Sequence, residues 1–198
     1  MTVDKILGEV IANKYCKGCV LSECQDLVEI RDRSIEFRMK YIPSRINTLL
    51  VGESPPMRLD ERYFYAPKEV QKGTLFCHTM DVLFEKEMKE IKTRGKEYFL
   101  NRFRDQGFYL TDMTKCPINN LSKDEKAKPL ESCSQYLKME LDAFGFKSIR
   151  TIFIGKGSFK IVRRKLDLTF DPVVIPLPFG SQRNVENYKI ELKRNLRK

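Results

Sequence analysis

Short runs of apolar and β-branched residues recur along the chain with longer helical stretches between them. That is the pattern of a parallel sheet whose crossovers are helices. Strands are expected over 46–51, 108–112, 151–154 and 172–177. An opening helix would place Val3, Ile6, Leu7, Val10 and Ile11 on one face. A later one would do the same with Leu130, Cys133, Leu137 and Leu141, with Pro129 in its first turn. Further helical stretches are expected over 68–90, 95–104, 159–168 and 186–197. No repeat, low-complexity segment or linker interrupts the pattern. The expected fold is α/β: a three-layer α/β/α sandwich with a central, mostly parallel four-stranded sheet, forming a single domain over 1–198.

Composition narrows the class. A chain of 198 residues can bury roughly 70% of its unfolded surface in one core. No apolar run reaches the length of a membrane span. The N-terminus lacks the apolar core of a signal peptide and carries Asp4 and Glu9. An intracellular, cytoplasmic protein with reduced cysteines is therefore expected, working as a monomer. The net charge of +10 favours a polyanionic partner.

In open parallel sheets ligands bind beyond the carboxyl ends of the strands, and here all four ends are polar. The first runs into Gly52, Glu53, Ser54, Pro55 and Pro56; the second ends at Thr111 and Asp112 and continues to Lys115, Cys116 and Pro117. The third leads to Gly155, Lys156, Gly157 and Ser158, and the fourth to Pro178, Phe179, Gly180, Ser181, Gln182, Arg183 and Asn184. Four of the six cysteines, Cys16, Cys19, Cys116 and Cys133, suggest one metal centre tying the N-terminus to the C-terminal half. On spacing alone the set suits a thiolate-bound metal such as zinc, or buried thiols with no metal.

These residues resemble the uracil-DNA glycosylase superfamily, and most of all its iron-sulfur family 4 branch. The likeness spans almost the whole chain. Cys16 and Cys19 precede Leu49, Leu50, Val51, Gly52, Glu53, Ser54 and Pro55, similar to the family's first motif. The stretch from Leu110 to Pro117 resembles the strand that ends in the third cluster cysteine, Cys133 falls where the fourth is expected, and Leu177 to Ser181 takes the place of the closing His-Pro-Ser motif. The resemblance implies a [4Fe-4S] cluster on Cys16, Cys19, Cys116 and Cys133, with zinc or no metal as the alternative. It implies excision of uracil or another deaminated base from DNA, or else a nucleic-acid-binding relative without that chemistry.

Glu53 is the implied catalytic carboxylate, with Asp60 beside it. Phe64 would stack on the base, and Asp112 stands where the family reads the base with asparagine. Gln182 and Asn184 are candidate replacements for the motif's missing histidine, and Lys156, Ser181 and Arg183 are candidate phosphate contacts. An ionised aspartate accepts hydrogen bonds and cannot donate them, so Asp112 and Leu177 are the two departures with chemical consequence.

Overall fold

The computed structural model describes residues 5, 19, 21, 24–66, 71–166, 168 and 171–197. The expected opening helix and Cys16 lie outside these residues. Four strands form the sheet: β1 (Thr48–Gly52), β2 (Phe108–Asp112), β3 (Arg150–Ile154) and β4 (Val173–Ile175). Their order is β2-β1-β3-β4, and every pairing is parallel. All five residues of β1 are buried, as a strand covered on both faces requires, which is why it reads as a continuous apolar run.

Seven α-helices lie among the described residues: α1 (Gln25–Met39), α2 (Leu59–Arg62), α3 (Leu75–Leu83), α4 (Ile91–Asp105), α5 (Ala127–Ala143), α6 (Lys156–Leu166) and α7 (Gln182–Leu196). The sheet register puts Val51, Thr111 and Phe153 on one face. There Thr111 meets α1 and α5, and Phe153 packs on Phe159 of α6 at 4.6 Å. On the other face Phe108 stacks on Phe103 of α4 at 5.3 Å, Phe103 touches Phe64, and Phe64 touches Phe76 of α3. Tyr188 of α7 joins that layer through a 2.8 Å hydrogen bond to Thr79 of α3. This is the three-layer sandwich expected, with a sheet parallel throughout.

Several boundaries differ from the apolar pattern. The stretch 68–90 resolves into α3 and a short 3-10 turn over Glu87–Glu90, because Phe84 leaves helical geometry at the end of α3. Gly95 breaks α4 with a φ of 74°, a left-handed conformation that costs glycine little. The final helix begins at Gln182, four residues earlier than expected, where the Ser181 side chain accepts a hydrogen bond from the Asn184 N–H and caps it.

Under the sheet's first face is a closed ionic network. Glu140 of α5 accepts hydrogen bonds from Arg38 Nη2 at 2.6 Å, Lys115 Nζ at 2.7 Å and Thr111 Oγ1 at 2.7 Å. Arg38 also donates to Thr111, and Lys115 also donates to the main-chain oxygen of Asp112 at 2.6 Å. Burial alone would raise the Glu140 carboxyl, but Arg38 and then Lys115 hold it down at about 2. The network locks the loop that follows β2 to α1 and α5.

Candidate active site

At the carboxyl ends of the strands lies a cleft of about 570 Å³, lined by residues that include Glu53, Phe64, Leu110, Asp112, Lys126 and Leu177. Glu53 follows β1 directly. Ser158, in the first turn of α6, donates to one of its carboxylate oxygens, and Lys126 lies 3.4 Å from the other. The first two strand-end loops are tied together by Met113 N–H donating to Gly52 O at 2.8 Å and Thr114 N–H to Glu53 O at 3.1 Å. The Glu53 side chain is 16% exposed. It is thus a carboxylate with fixed orientation and one open side, suited to hold a water or stabilise a cation.

Asp112 closes β2. Side chains alternate along a strand, so Leu110 and Asp112 face the cleft while Thr111 points down into the ionic network. The carboxyl lies against Gly52, where an added Cβ would stand 2.5 Å from Asp112 Oδ1. Glycine is required there by the close approach rather than by its backbone angles. Burial pushes the Asp112 carboxyl up to about 6, against the opposing pull of Lys115 and Arg38.

Phe64 forms part of the cleft wall and is fixed by three other rings: Tyr65 at 5.0 Å, Phe103 at 5.1 Å and Phe76 at 5.6 Å. Opposite, the loop after β4 brings Leu177, Phe179 and Gly180 to the cleft. Phe179 is 46% exposed, and its main-chain oxygen accepts from Asn184 Nδ2 at 2.7 Å. Leu177 packs its side chain against Gly155, so the wall at that point is apolar.

Glu53, Phe64 and Asp112 therefore meet in one cleft, and the other candidates do not join them. Asp60 is corrected: it lies in α2, 41% exposed and paired with Arg33 at 2.9 Å, beside a separate surface depression. Gln182 and Asn184 are corrected too, because helix α7 begins earlier than expected. Gln182 lines a neighbouring cavity that shares Lys72 and Gly73 with the cleft, and Asn184 positions the Phe179 loop. The Ser181 hydroxyl oxygen accepts the helix-cap hydrogen bond from Asn184 N–H, outside the cleft lining. Lys156 and Arg183 are exposed at the starts of α6 and α7, outside the cleft lining.

Sequence reasoning placed Ser158 at a strand end without a role, and missed Lys126 and Asn119. Asn119 accepts a hydrogen bond from the Ser54 hydroxyl at 2.6 Å. Serine in a loop closing a strand was the one available signal; Lys126 and Asn119 come from a segment with no distinguishing pattern.

Of the four cysteines, Cys19, Cys116 and Cys133 are described, and all are buried. The Cys133 thiol is raised well above its ordinary range, first by a hydrogen bond to the Cys19 thiol and then by burial, with Cys116 also close enough to act on it. Among the described residues no three His, Cys, Asp or Glu side chains form a group that could hold a metal ion. The remaining cysteines stand apart: Cys24 is exposed at the start of α1, and Cys77 donates to Gln71 O at 3.1 Å. No helix among the described residues is long and apolar enough to cross a membrane.

Residues 39–197 match the family model of the uracil DNA glycosylase superfamily. A search of curated proteins finds no match.

Proposed function

The chain belongs to the uracil-DNA glycosylase superfamily, and from this premise we propose that it hydrolyses the N-glycosidic bond of uracil or another deaminated base in DNA. The observation that carries the reading is the meeting of Glu53, Asp112 and Phe64 in one cleft at the strand ends. A base taken out of the helix stack needs a ring wall and an edge-reading group at the pocket floor. Phe64 supplies the wall and Asp112 the floor.

Breaking the bond builds positive charge on the sugar and negative charge on the departing base. Glu53 is placed to stabilise the first and to orient the attacking water. Ser158 and Lys126 position its carboxylate. Lys72, Lys126, Arg62 and Asn119 are among the cleft-lining side chains able to donate to the second. The basic net charge of +10 supplies attraction for the phosphate backbone.

Cys19, Cys116 and Cys133, with Cys16 as the fourth, are the proposed ligands of a [4Fe-4S] cluster: their all-thiol chemistry suits that group and Cys19 and Cys133 are hydrogen-bonded, while the described residues alone do not form a three-ligand metal group. Bound there, the cluster would tie the N-terminal segment to the β2 loop and α5; no chemical step is assigned to it.

One observation favours a second reading. Leu177 leaves an apolar wall where the superfamily resemblance expects a histidine donor, which suits a member that binds damaged DNA without cleaving it. Single-turnover release of uracil, hypoxanthine and xanthine from DNA separates the two. Excision predicts release by the wild type and a loss of roughly a hundredfold or more in Glu53→Gln. Salt-sensitive DNA binding without release from any substrate refutes excision.

A further inference from the structure

The Asp112 carboxyl is only 6% exposed, and among the described residues none donates a hydrogen bond to it. Lys115 spends its ammonium on the main-chain oxygen of Asp112, on Thr111 and on Glu140. Arg38 spends its guanidinium on Thr111 and Glu140. The charged and titratable groups that face Asp112 are Lys115 from its own loop, Arg38 from α1, Glu140 from α5, Glu53 after β1 and the Tyr63 hydroxyl. Among the described residues neither oxygen is engaged by a donor, and the side chain lines the cleft with Oδ1 beside Gly52.

An ionised carboxylate accepts only, and would meet a base carbonyl oxygen with repulsion. A neutral acid donates from one oxygen and accepts on the other, at the spacing of a ring C=O beside a ring N–H. We propose that Asp112 binds the extruded base as a neutral acid, its O–H donating to a ring carbonyl and its C=O accepting from the adjacent N–H. This fits the floor to the edge that deamination creates in uracil, hypoxanthine and xanthine alike, and it makes base binding weaken as pH rises. The inference deepens the glycosylase reading and rests on it. The raised carboxyl range agrees with it. The chain's single histidine, His78, is not on the cleft lining.

The test measures binding, which survives even if excision does not occur. Oligonucleotides carrying 2′-fluoroarabinouridine, which resists hydrolysis, are compared by anisotropy with the same strands carrying a tetrahydrofuran abasic site, between pH 5.5 and 8. For the wild type the affinity advantage of the uracil strand should fall by about tenfold or more over that range. Asp112→Asn, a permanent donor and acceptor of the same shape, should show an advantage that no longer varies with pH. A wild-type advantage that is flat or grows with pH overturns the inference, and so does a variant whose profile coincides with the wild type's. Release of uracil and hypoxanthine is followed in the same buffers. Absent release with a falling wild-type advantage refutes excision and upholds Asp112; release with coincident profiles does the reverse.

Discussion

Replacing Glu140 by glutamine keeps the shape of the buried network and removes its one anion. Arg38 and Lys115 are then left with side chains only 2% and 3% exposed and without their shared counter-ion. The magnitude follows from the carboxyl itself, held at about 2 against an ordinary 4.5. Each pKa unit is worth about 1.4 kcal/mol, so the network favours the ionised form by roughly 3 kcal/mol, within the range of about 3–5 kcal/mol for breaking a buried pair. Because the folded value is depressed, this stability is fully present above pH 4.5 and is lost as pH falls towards 2. Urea denaturation followed by circular dichroism at pH 7 should show Glu140→Gln shifted to lower midpoint by about 1.5 M, for a slope of about 2 kcal/mol per molar. Between pH 4.5 and 2.5 the variant should lose less further stability than the wild type. A midpoint within about 0.3 M of wild type at pH 7 would refute the view that this carboxylate holds the floor of the cleft.

Gly52→Ala should displace the Asp112 carboxyl, since the new Cβ would stand 2.5 Å from Oδ1; the uracil-strand advantage should fall about tenfold or more while affinity for undamaged DNA stays within about twofold. Anaerobically purified protein should be brown and contain iron and sulfide, and Cys116→Ala should lose both, as elemental analysis would show; a colourless wild type with stoichiometric zinc contradicts the cluster. Asp112→Asn should be more stable than wild type at pH 8 by up to about 3 kcal/mol, because the raised carboxyl costs stability that builds as pH climbs from 3.8 to about 6 and is fully present above it; the urea midpoints should converge as pH falls below 3.8.

The strands were legible because three of the four carry runs of buried apolar residues, and their polar ends pointed to the cleft. That route pointed to Glu53 and Asp112, whose roles, like that of Phe64, came from the family resemblance. Helix α1 was not singled out, because its buried face carries Arg31, Ser34 and Arg38 beside Val28 and Ile35. Charges turned inward blur the stripe that marks an amphipathic helix, and their justification, Glu140, lies 102 residues further on from Arg38. The Gln182–Asn184 segment was misread as loop for a local reason: the cap at Ser181 is a single serine without an acidic partner three residues later. Lys126 could be recognised only once the fold had brought it to Glu53, and Ser158, already placed at a strand end, gains its role from the same approach.

The order of the sheet also sets a timetable for making the protein. Of the four described strands β1 is the first synthesised and lies inside the sheet, yet its partners begin at Phe108 and Arg150. With no hairpin to form locally, its five buried residues must wait for most of the chain. At ribosomal speeds of about 5–20 residues per second the wait is of order 3–12 seconds for β2 and 5–20 seconds for β3, and until then Leu49, Leu50 and Val51 lack one or both neighbours. The Cys19–Cys133 contact closes on the same schedule. A nascent chain would thus expose its stickiest strand and its thiols together, which makes this interval the one in which chaperone binding, or the delivery of a metal centre, would decide the yield of folded protein.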